Sequence, residues 1–410
     1  MRVLPYLFAG FLASVMVGLK TYEDLSKGRS IYLELRDLKG TIKQLEKKGV
    51  VGISRDTYAY LIPAYGYYKN LLPVVEVDGE RYFVSYRFLS SWVFVPFMWL
   101  FKGYFPLAYI IFFAFAVMLG LAYLMEGLRV KPQISTLVLL ITFPFLYYHI
   151  PRLLLEGPTM FLLILFLRLF LDKKYSLALL PLIFASLIRG EISVICALYG
   201  LYLILKTKNL IYSVSAIPIT AHAITSQYLG DQSFFYFWTY KVYVTKVLGR
   251  DFRMDEIHIC ASEKLGFYPQ EVSDNYHPYG FVHPYYKVYS QCFKEKVMEI
   301  NLKKEGKLVL YNVVKNFFNL IFLPTGKFTL LLKSPYLWFF VVYGIFVVCG
   351  IFWFLRFNSP LIPLLYLILV AIYSIYNPFG SIHSDRFKVV LIPFEVFFLG
   401  SWITKRRDIR

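Results

Sequence analysis

Apolar runs long enough, or nearly long enough, to cross a bilayer recur along this chain, separated by short charged turns and two long polar stretches. The first run covers residues 4–19 behind a single Arg2, and no small-residue cleavage pattern follows it, which predicts a retained first span with its start in the cytoplasm. A mostly polar stretch runs from Lys20 to about Arg87, with a charged helical pattern over 33–48 and a tyrosine-rich segment over 58–68. Further runs follow at 104–126, 133–150, 158–171, 175–188, 192–205 and 210–229. Their connections alternate: Arg129/Lys131, Asp172-Lys173-Lys174 and Lys206/Lys208 are basic, whereas 151–157 and Arg189-Gly190-Glu191 mix signs. The excess of positive charge on cytoplasmic loops places the first set inside and the second outside. A second polar stretch, 230–307, then lies outside, and the amphipathic segment 308–323, around Lys315 and Asn319, is expected along the interface. Runs at 336–355, 361–376 and 387–403 close the chain before the basic tail Lys405-Arg406-Arg407.

The pattern predicts an all-α polytopic membrane protein of about ten spans with both termini cytoplasmic. The segment 90–101 is too short to cross and is expected as an interfacial or re-entrant helix. Three regions result: an N-terminal module, 1–229, with seven spans and the first outer loop at 20–103; a large outer loop, 230–333; and a three-span module with the tail, 334–410. The only internal echo is His277-Pro278-Tyr279 against His283-Pro284-Tyr285, which reads as turn chemistry.

Composition agrees, with 58% hydrophobic residues, 20% aromatic and 17% charged. A net charge of +18, from 44 Lys+Arg against 26 Asp+Glu, has no basic, aromatic-poor module to direct it at nucleic acid, so anionic lipid or a lipid-linked anion is the better partner. Of four cysteines, Cys196 and Cys349 fall within spans; Cys260 and Cys292 share the large outer loop, where an oxidising exterior predicts a disulfide. No pair has the spacing of a zinc site.

Charge in hydrocarbon is costly, so charged residues gathered at the outer ends of spans are site candidates. They are Glu23, Asp24, Arg55, Asp56, Arg87, Arg152, Glu156, Arg189, Glu191, Lys241, Asp385 and Arg386. Taken singly, each fits a snorkelling interface residue. Together they bring carboxylates and arginines from distant segments to one face, as an acid/base residue beside a phosphate-bearing ligand requires. His149, His222, His258, His277, His283 and His383 fall on the same side but lack ligand spacing.

The order of these features resembles the GT-C superfamily of integral-membrane glycosyltransferases. The resemblance rests on Arg55-Asp56-Thr57-Tyr58-Ala59-Tyr60-Leu61, on Tyr86-Arg87-Phe88-Leu89 through to Phe101-Lys102-Gly103, on Arg152 to Glu156-Gly157-Pro158 with the later Arg189-Gly190-Glu191, and on His383-Ser384-Asp385-Arg386-Phe387 to Pro393. It implies a GT-C-like fold with two large extracytoplasmic loops carrying short interfacial helices. It also implies an inverting transferase, hexosyl or pentosyl, that moves a sugar from a polyprenyl (dolichyl-type) phosphate donor to a lipid, glycan or protein acceptor on the outer face. Two acidic positions suit the family's catalytic residue, Glu23-Asp24 directly after the first span and Asp56 later in the loop. Asp56 is preferred as general base because tyrosines follow it and its distance from Arg87 fits. Arg152, Arg189, Arg386 and Lys241 are then expected to hold the donor phosphate, with Glu156, Glu191, Arg87, Tyr58 and Tyr60 at the sugar or acceptor. No cofactor is obligatory; some relatives use a divalent metal, Mg or Mn, for which Glu156 would be the ligand. The competing readings are a lipid-linked oligosaccharide ligase or polymerase centred near His277 and His283, and a transporter or flippase of lipid-linked sugars. A transporter would place charge near the midplane and show matching halves, which the spans over 158–229 do not.

Overall fold

The computed structural model describes residues 3–54, 57–77, 79–85, 87–229, 233–253, 255–266, 285–322, 335–380 and 384–405. Helix α1, Leu4–Ser26, carries Pro5 in its first turn, where a missing N–H is tolerated, and continues beyond the apolar run to Asp24. In the first polar stretch come α2, Leu38–Lys48, and α3, Thr57–Asn70; the Asp37 side chain caps α2 by accepting from the Gly40 amide. An antiparallel hairpin of β1, Val74–Val77, and β2, Glu80–Phe83, follows, with Val75 opposite Tyr82. The helical pattern of the sequence does not anticipate it.

Three helices follow: α4, Phe88–Ser91; α5, Val95–Phe101; and α6, Phe105–Gly127. Tight turns at Trp92–Phe94 and Lys102–Tyr104 separate them, and Lys102 sits in the left-handed region at φ 47°. The segment expected as one short helix is helical from Phe88 to Phe101, tightened at Trp92–Phe94, and the reversal at Lys102 sets it off from α6. Next come α7, Pro132–Tyr147; α8, Glu156–Leu171; α9, Tyr175–Ile188; α10, Ile192–Thr207; and α11, Ile217–Leu229. The run over 210–229 is not one helix: the Asn209 side chain accepts from Ile211 N at 3.0 Å and starts a tight turn, Leu210–Ala216, and α11 begins only at the residue before Pro218.

The second polar stretch is helical too, with α12, Ser233–Val242; α13, Asp255–Leu265; α14, Tyr285–Met298; and α15, Leu302–Phe322. Cys260 and Cys292 are bonded, Cα atoms 6.2 Å apart, and join α13 to α14. The chain ends in α16, Pro335–Phe357; α17, Leu361–Ile375; and α18, Ser384–Ile403.

Two described stretches, Leu4–Ser26 and Phe88–Gly127, are long and apolar enough to cross a membrane unaided; Pro132–Tyr147, Tyr175–Ile188, Ile192–Thr207, Val341–Phe357 and Leu361–Ile375 are shorter apolar helices. Many of these helices are apolar on both sides. Leu7 is 67% exposed, Leu177 57% and Phe352 68% while their helices bury Met16, Leu182 and Val347 on the other face. Surfaces of that kind need an apolar surrounding. One core spans α1, α6 to α10 and α15 to α18, so the first and last regions of the chain pack as one body. A second core closes the first polar stretch, with Leu38, Leu61, Phe94, Tyr109 and Leu153 among its members, and it rests on the start of α6.

Helix α15 buries a polar face. Asn312, Asn316 and Asn319 point into the protein while Leu310, Tyr311 and Phe318 are exposed. The reason is in the partners: Asn316 Nδ2 donates to the carbonyls of Ser374 (3.2 Å) and Asn377 (3.0 Å), at and just beyond the end of α17, where helix carbonyls lack their own donors.

A charged network lies deeper, and the sequence reading passed over it. Lys388 Nζ on α18 is 2.6 Å from Glu395 Oε1 and donates to the Ile321 carbonyl at 3.0 Å. Tyr366 and Tyr343 donate to the two Glu395 oxygens at 3.0 Å each. Three helices thus meet on one buried carboxylate, and Lys388 ties in a fourth, α15, through the Ile321 carbonyl. Removing one partner of a buried pair strands the other, at a cost of about 3–5 kcal/mol. Lys388→Met should therefore lower the thermal midpoint in detergent sharply, and Lys388→Met with Glu395→Gln should recover most of it. Equal losses in the single and double variants would contradict the pairing.

Candidate functional site

The described residues place a second charged cluster at the start of α8. Residues 150–155 form a turn of buried bends in which Ile150, Leu153, Leu154 and Leu155 are inside, and Tyr109 donates to the Leu154 carbonyl at 2.6 Å. That turn delivers Glu156 as the first residue of α8, fully buried. Glu156 Oε1 accepts from Arg189 Nη1 at 3.2 Å and from Arg386 Nε in a closer contact. Arg189 ends α9, and its other terminal nitrogen lies 3.6 Å from Glu191 across the Gly190 turn. Arg386 begins α18 and also donates to the Tyr60 hydroxyl at 3.4 Å. Chain positions 60, 156, 189, 191 and 386 are brought together in this way.

Aromatic rings wall the cluster. The Arg189 guanidinium lies 5.8 Å from the ring centres of both Tyr373 and Phe387, which stack 4.6 Å apart. The Glu191 carboxyl is pushed up by burial, but Arg189 and then Arg87 outweigh this and hold it below the usual carboxylate range. Glu156, Glu191, Arg189 and Arg386 balance in formal charge, which is how four ionisable groups can share a buried place. Two polar atoms in it, Glu156 Oε2 and the Tyr373 hydroxyl, are buried with no hydrogen-bond partner among the described residues. Orphans of this sort are uncommon and mark a place where a ligand or water completes the set.

The other expected site residues lie elsewhere or are tied up. Asp24 is fully buried: Oδ1 takes Lys20 Nζ at 3.0 Å and Arg29 Nη1 at 2.8 Å, and Oδ2 takes the Gly52 amide at 2.7 Å. It works as an anchor. Gly52 must be glycine there, with φ +79° and a Cβ position 2.2 Å from Ile110; its carbonyl accepts from Leu153 N at 2.9 Å, linking Asp24 to the turn before Glu156. Glu23 is half-exposed and paired with Lys20 and Lys27. Arg152 is half-buried in the turn, and no ion pair joins it to Glu156. Lys241 lies over the rings of Phe237, Trp238 and Phe252 at 5.3–5.8 Å, so it belongs to the outer-loop helices rather than to the Arg189–Arg386 pair. Tyr58 is buried in the core of the first polar stretch. Arg87 takes the left-handed conformation, φ 54°, at the start of α4 and faces the same cavity as Glu191. Arg55, Asp56, Tyr86, His277, His283 and His383 lie outside the described residues, as does the side chain of Asp385.

His258 Nδ1 is 2.7 Å from the Tyr285 hydroxyl and pins α13 to α14; burial keeps its ring below the usual histidine pKa, so it is a neutral structural partner. A divalent metal does not fit Glu156, because the cation would sit against two guanidiniums. Among the described residues, Cys260, Cys292 and Glu295 have potential metal-ligand atoms within 4.8 Å of one another, but both sulfurs are spent in the disulfide.

No family model matches the chain, and no curated protein does. Among solved structures it is similar to the crystal structure of ArnT from Cupriavidus metallidurans in the apo state, with 14% identity over 90% of this chain and 74% of that one and a TM-score of 0.32. An overlap of that size carries no residue correspondences.

Two outcomes test the cluster. Glu156→Ala leaves two guanidiniums buried against each other and should cost about 3–5 kcal/mol in detergent unfolding; an unchanged midpoint would refute the shared-carboxylate geometry. Arg189→Met removes the main cation holding Glu191 ionised, so burial should then raise its carboxyl. In infrared spectra the protonated carboxyl band should appear at higher pH than in the parent protein, and an unmoved band would contradict this assignment.

Proposed function

We propose that the protein is an integral-membrane glycosyltransferase of the GT-C kind, moving a sugar from a polyprenyl-phosphate carrier to an acceptor on the extracytoplasmic face. The observation that carries the reading is Glu156, buried and shared by Arg189 and Arg386, with its second oxygen unpartnered among the described residues. A guanidinium has five N–H donors in a planar fork, so an arginine already in contact with a carboxylate can still present an edge to a phosphate. In this reading the departing phosphate is stabilised by Arg189 and Arg386, and a sugar hydroxyl donates to Glu156 Oε2.

The sugar phosphoester supplies its own leaving group. The protein's task is to align the acceptor, take its proton and stabilise the phosphate. Asp56 is the proposed general base: the acceptor O–H bond breaks with its proton going to the Asp56 carboxylate, the oxygen bonds to the anomeric carbon, and the C–O bond to phosphate breaks with its electrons leaving on the phosphate. Attack opposite the leaving group inverts the anomeric carbon. Two contacts of the chain just after Asp56 support that role. Thr57 Oγ1 donates to the Leu153 carbonyl at 3.1 Å, and Tyr60 meets Arg386. Asp24, with both oxygens already in hydrogen bonds, is the weaker candidate.

One observation favours a second reading. The Lys388–Glu395 pair lies inside the apolar core, where transporters place charge. Reconstitution with a lipid-linked sugar separates the two. Asp56→Asn should reduce sugar transfer by roughly 100- to 10,000-fold, the span usual for a lost general base, while the protein folds as before. Full transfer by that variant would remove Asp56 from the mechanism, and lipid translocation without any transfer would favour the transporter.

A further inference from the structure

A cavity of about 480 Å³ lies beside the Arg189–Glu191 turn, within the usual size range of small-molecule sites. It is a half-open cleft lined by the start of α4, the α9–α10 turn, α11, the first half of α12 and the residues just after α17. Its polar groups include Arg87, Glu191, His222 and Ser226, with Ser90, Ser193 and Tyr236 also on the wall, and Ile219 and the ring of Tyr376 give it apolar surface.

His222 shows what this cavity can bind. Its Nε2 is 2.8 Å from the Ser186 carbonyl oxygen. A carbonyl only accepts, so Nε2 carries the hydrogen, and in the neutral ring Nδ1 is left as an acceptor. The ring lies over Gly190, where a Cβ would come within 3.3 Å of Nδ1, so the glycine allows this close approach. Glu191 is the next residue and lines the same cavity as His222. Ser226 follows His222 by one turn on α11 and lines the same cavity.

The occupant must therefore offer several hydroxyl donors to Glu191 and His222, an acceptor to Arg87, and an apolar face to Ile219 and Tyr376. Among the lining residues the Arg87 and Glu191 charges offset each other, so an anion meets no excess of positive charge. A hydrocarbon tail would leave the polar wall without partners. A cation meets a carboxylate whose charge Arg189 and Arg87 already offset. A neutral polyhydroxyl ring meets every condition.

We propose that this cavity is the acceptor subsite and that the acceptor is a saccharide, its hydroxyls bound by Glu191, His222 and Ser226. The proposal rests on the transferase reading for the word acceptor, though saccharide binding does not depend on it.

The test uses the full-length protein in nanodiscs with a panel of methyl hexopyranosides and pentopyranosides, read by saturation-transfer NMR and by acceptor kinetics with a lipid-linked donor. At least one glycoside should bind. His222→Ala and Ser226→Ala should each weaken it about 10-fold, raising the KM for a saccharide acceptor while leaving the KM for the donor unchanged. Gly190→Val, which displaces the ring without removing it, should do the same. Thermal midpoints show that the variants fold. Glycoside binding lost in His222→Ala with no transfer detected would support the cavity assignment and count against the transferase reading. Transfer to a peptide or phospholipid with KM unmoved in His222→Ala and Ser226→Ala would overturn the assignment and leave the transferase reading intact. A panel in which no glycoside binds would also overturn it.

Discussion

A single carboxylate, that of Glu156, sets the geometry where α8, α9 and α18 meet. Buried at the start of α8, it accepts from Arg189 at the end of α9 and from Arg386 at the start of α18, so three helices distant in sequence converge on one oxygen. A buried charge cannot be left uncompensated, and two arginines around one acid would repel without a second acid. Glu191 supplies it, 3.6 Å from Arg189. The position of each group follows from the others.

Supports for that cluster reach outward. Asp24 at the end of α1 accepts from the Gly52 amide, the Gly52 carbonyl accepts from Leu153 N, and Thr57 Oγ1 donates to the Leu153 carbonyl, so the turn that presents Glu156 is gripped through Gly52 by the first helix and by the start of α3. On the other side the Lys388–Glu395 network fixes α18 against α15, α16 and α17 two residues beyond Arg386. The segment bearing Arg386 thus belongs to both the Glu156 and the Glu395 clusters.

Much of this was legible in the sequence. Helix α9 begins and ends where its apolar run does, and most other helices differ from theirs by a few residues. Outer-face charge marked Glu156, Arg189, Glu191 and Arg386 as candidates, because charge beside long apolar runs needs a reason. What was not legible depended on tertiary partners. Periodicity cannot say that Asp24 would be spent on Lys20, Arg29 and a backbone amide, nor that Lys241 would settle over aromatic rings. The amphipathic pattern of α15 was visible, but which face turns inward was decided by unpaired carbonyls at the end of α17. Lys388 and Glu395 carried a readable signal, two opposite charges seven residues apart on one face of an apolar helix. The hairpin over 74–83 had only four-residue strands, too short for period two to stand out.

The central claim is that the Arg189–Arg386 pair beside Glu156 receives the phosphate of a lipid-linked sugar. Cryo-electron microscopy of the protein in nanodiscs with a polyprenyl-phosphate sugar tests it most directly. The account predicts a head group within hydrogen-bond reach of Arg189 or Arg386, with the tail running between helices from that point. A head group held at the opposite ends of the helices, beside Arg168 or Lys206, would contradict it.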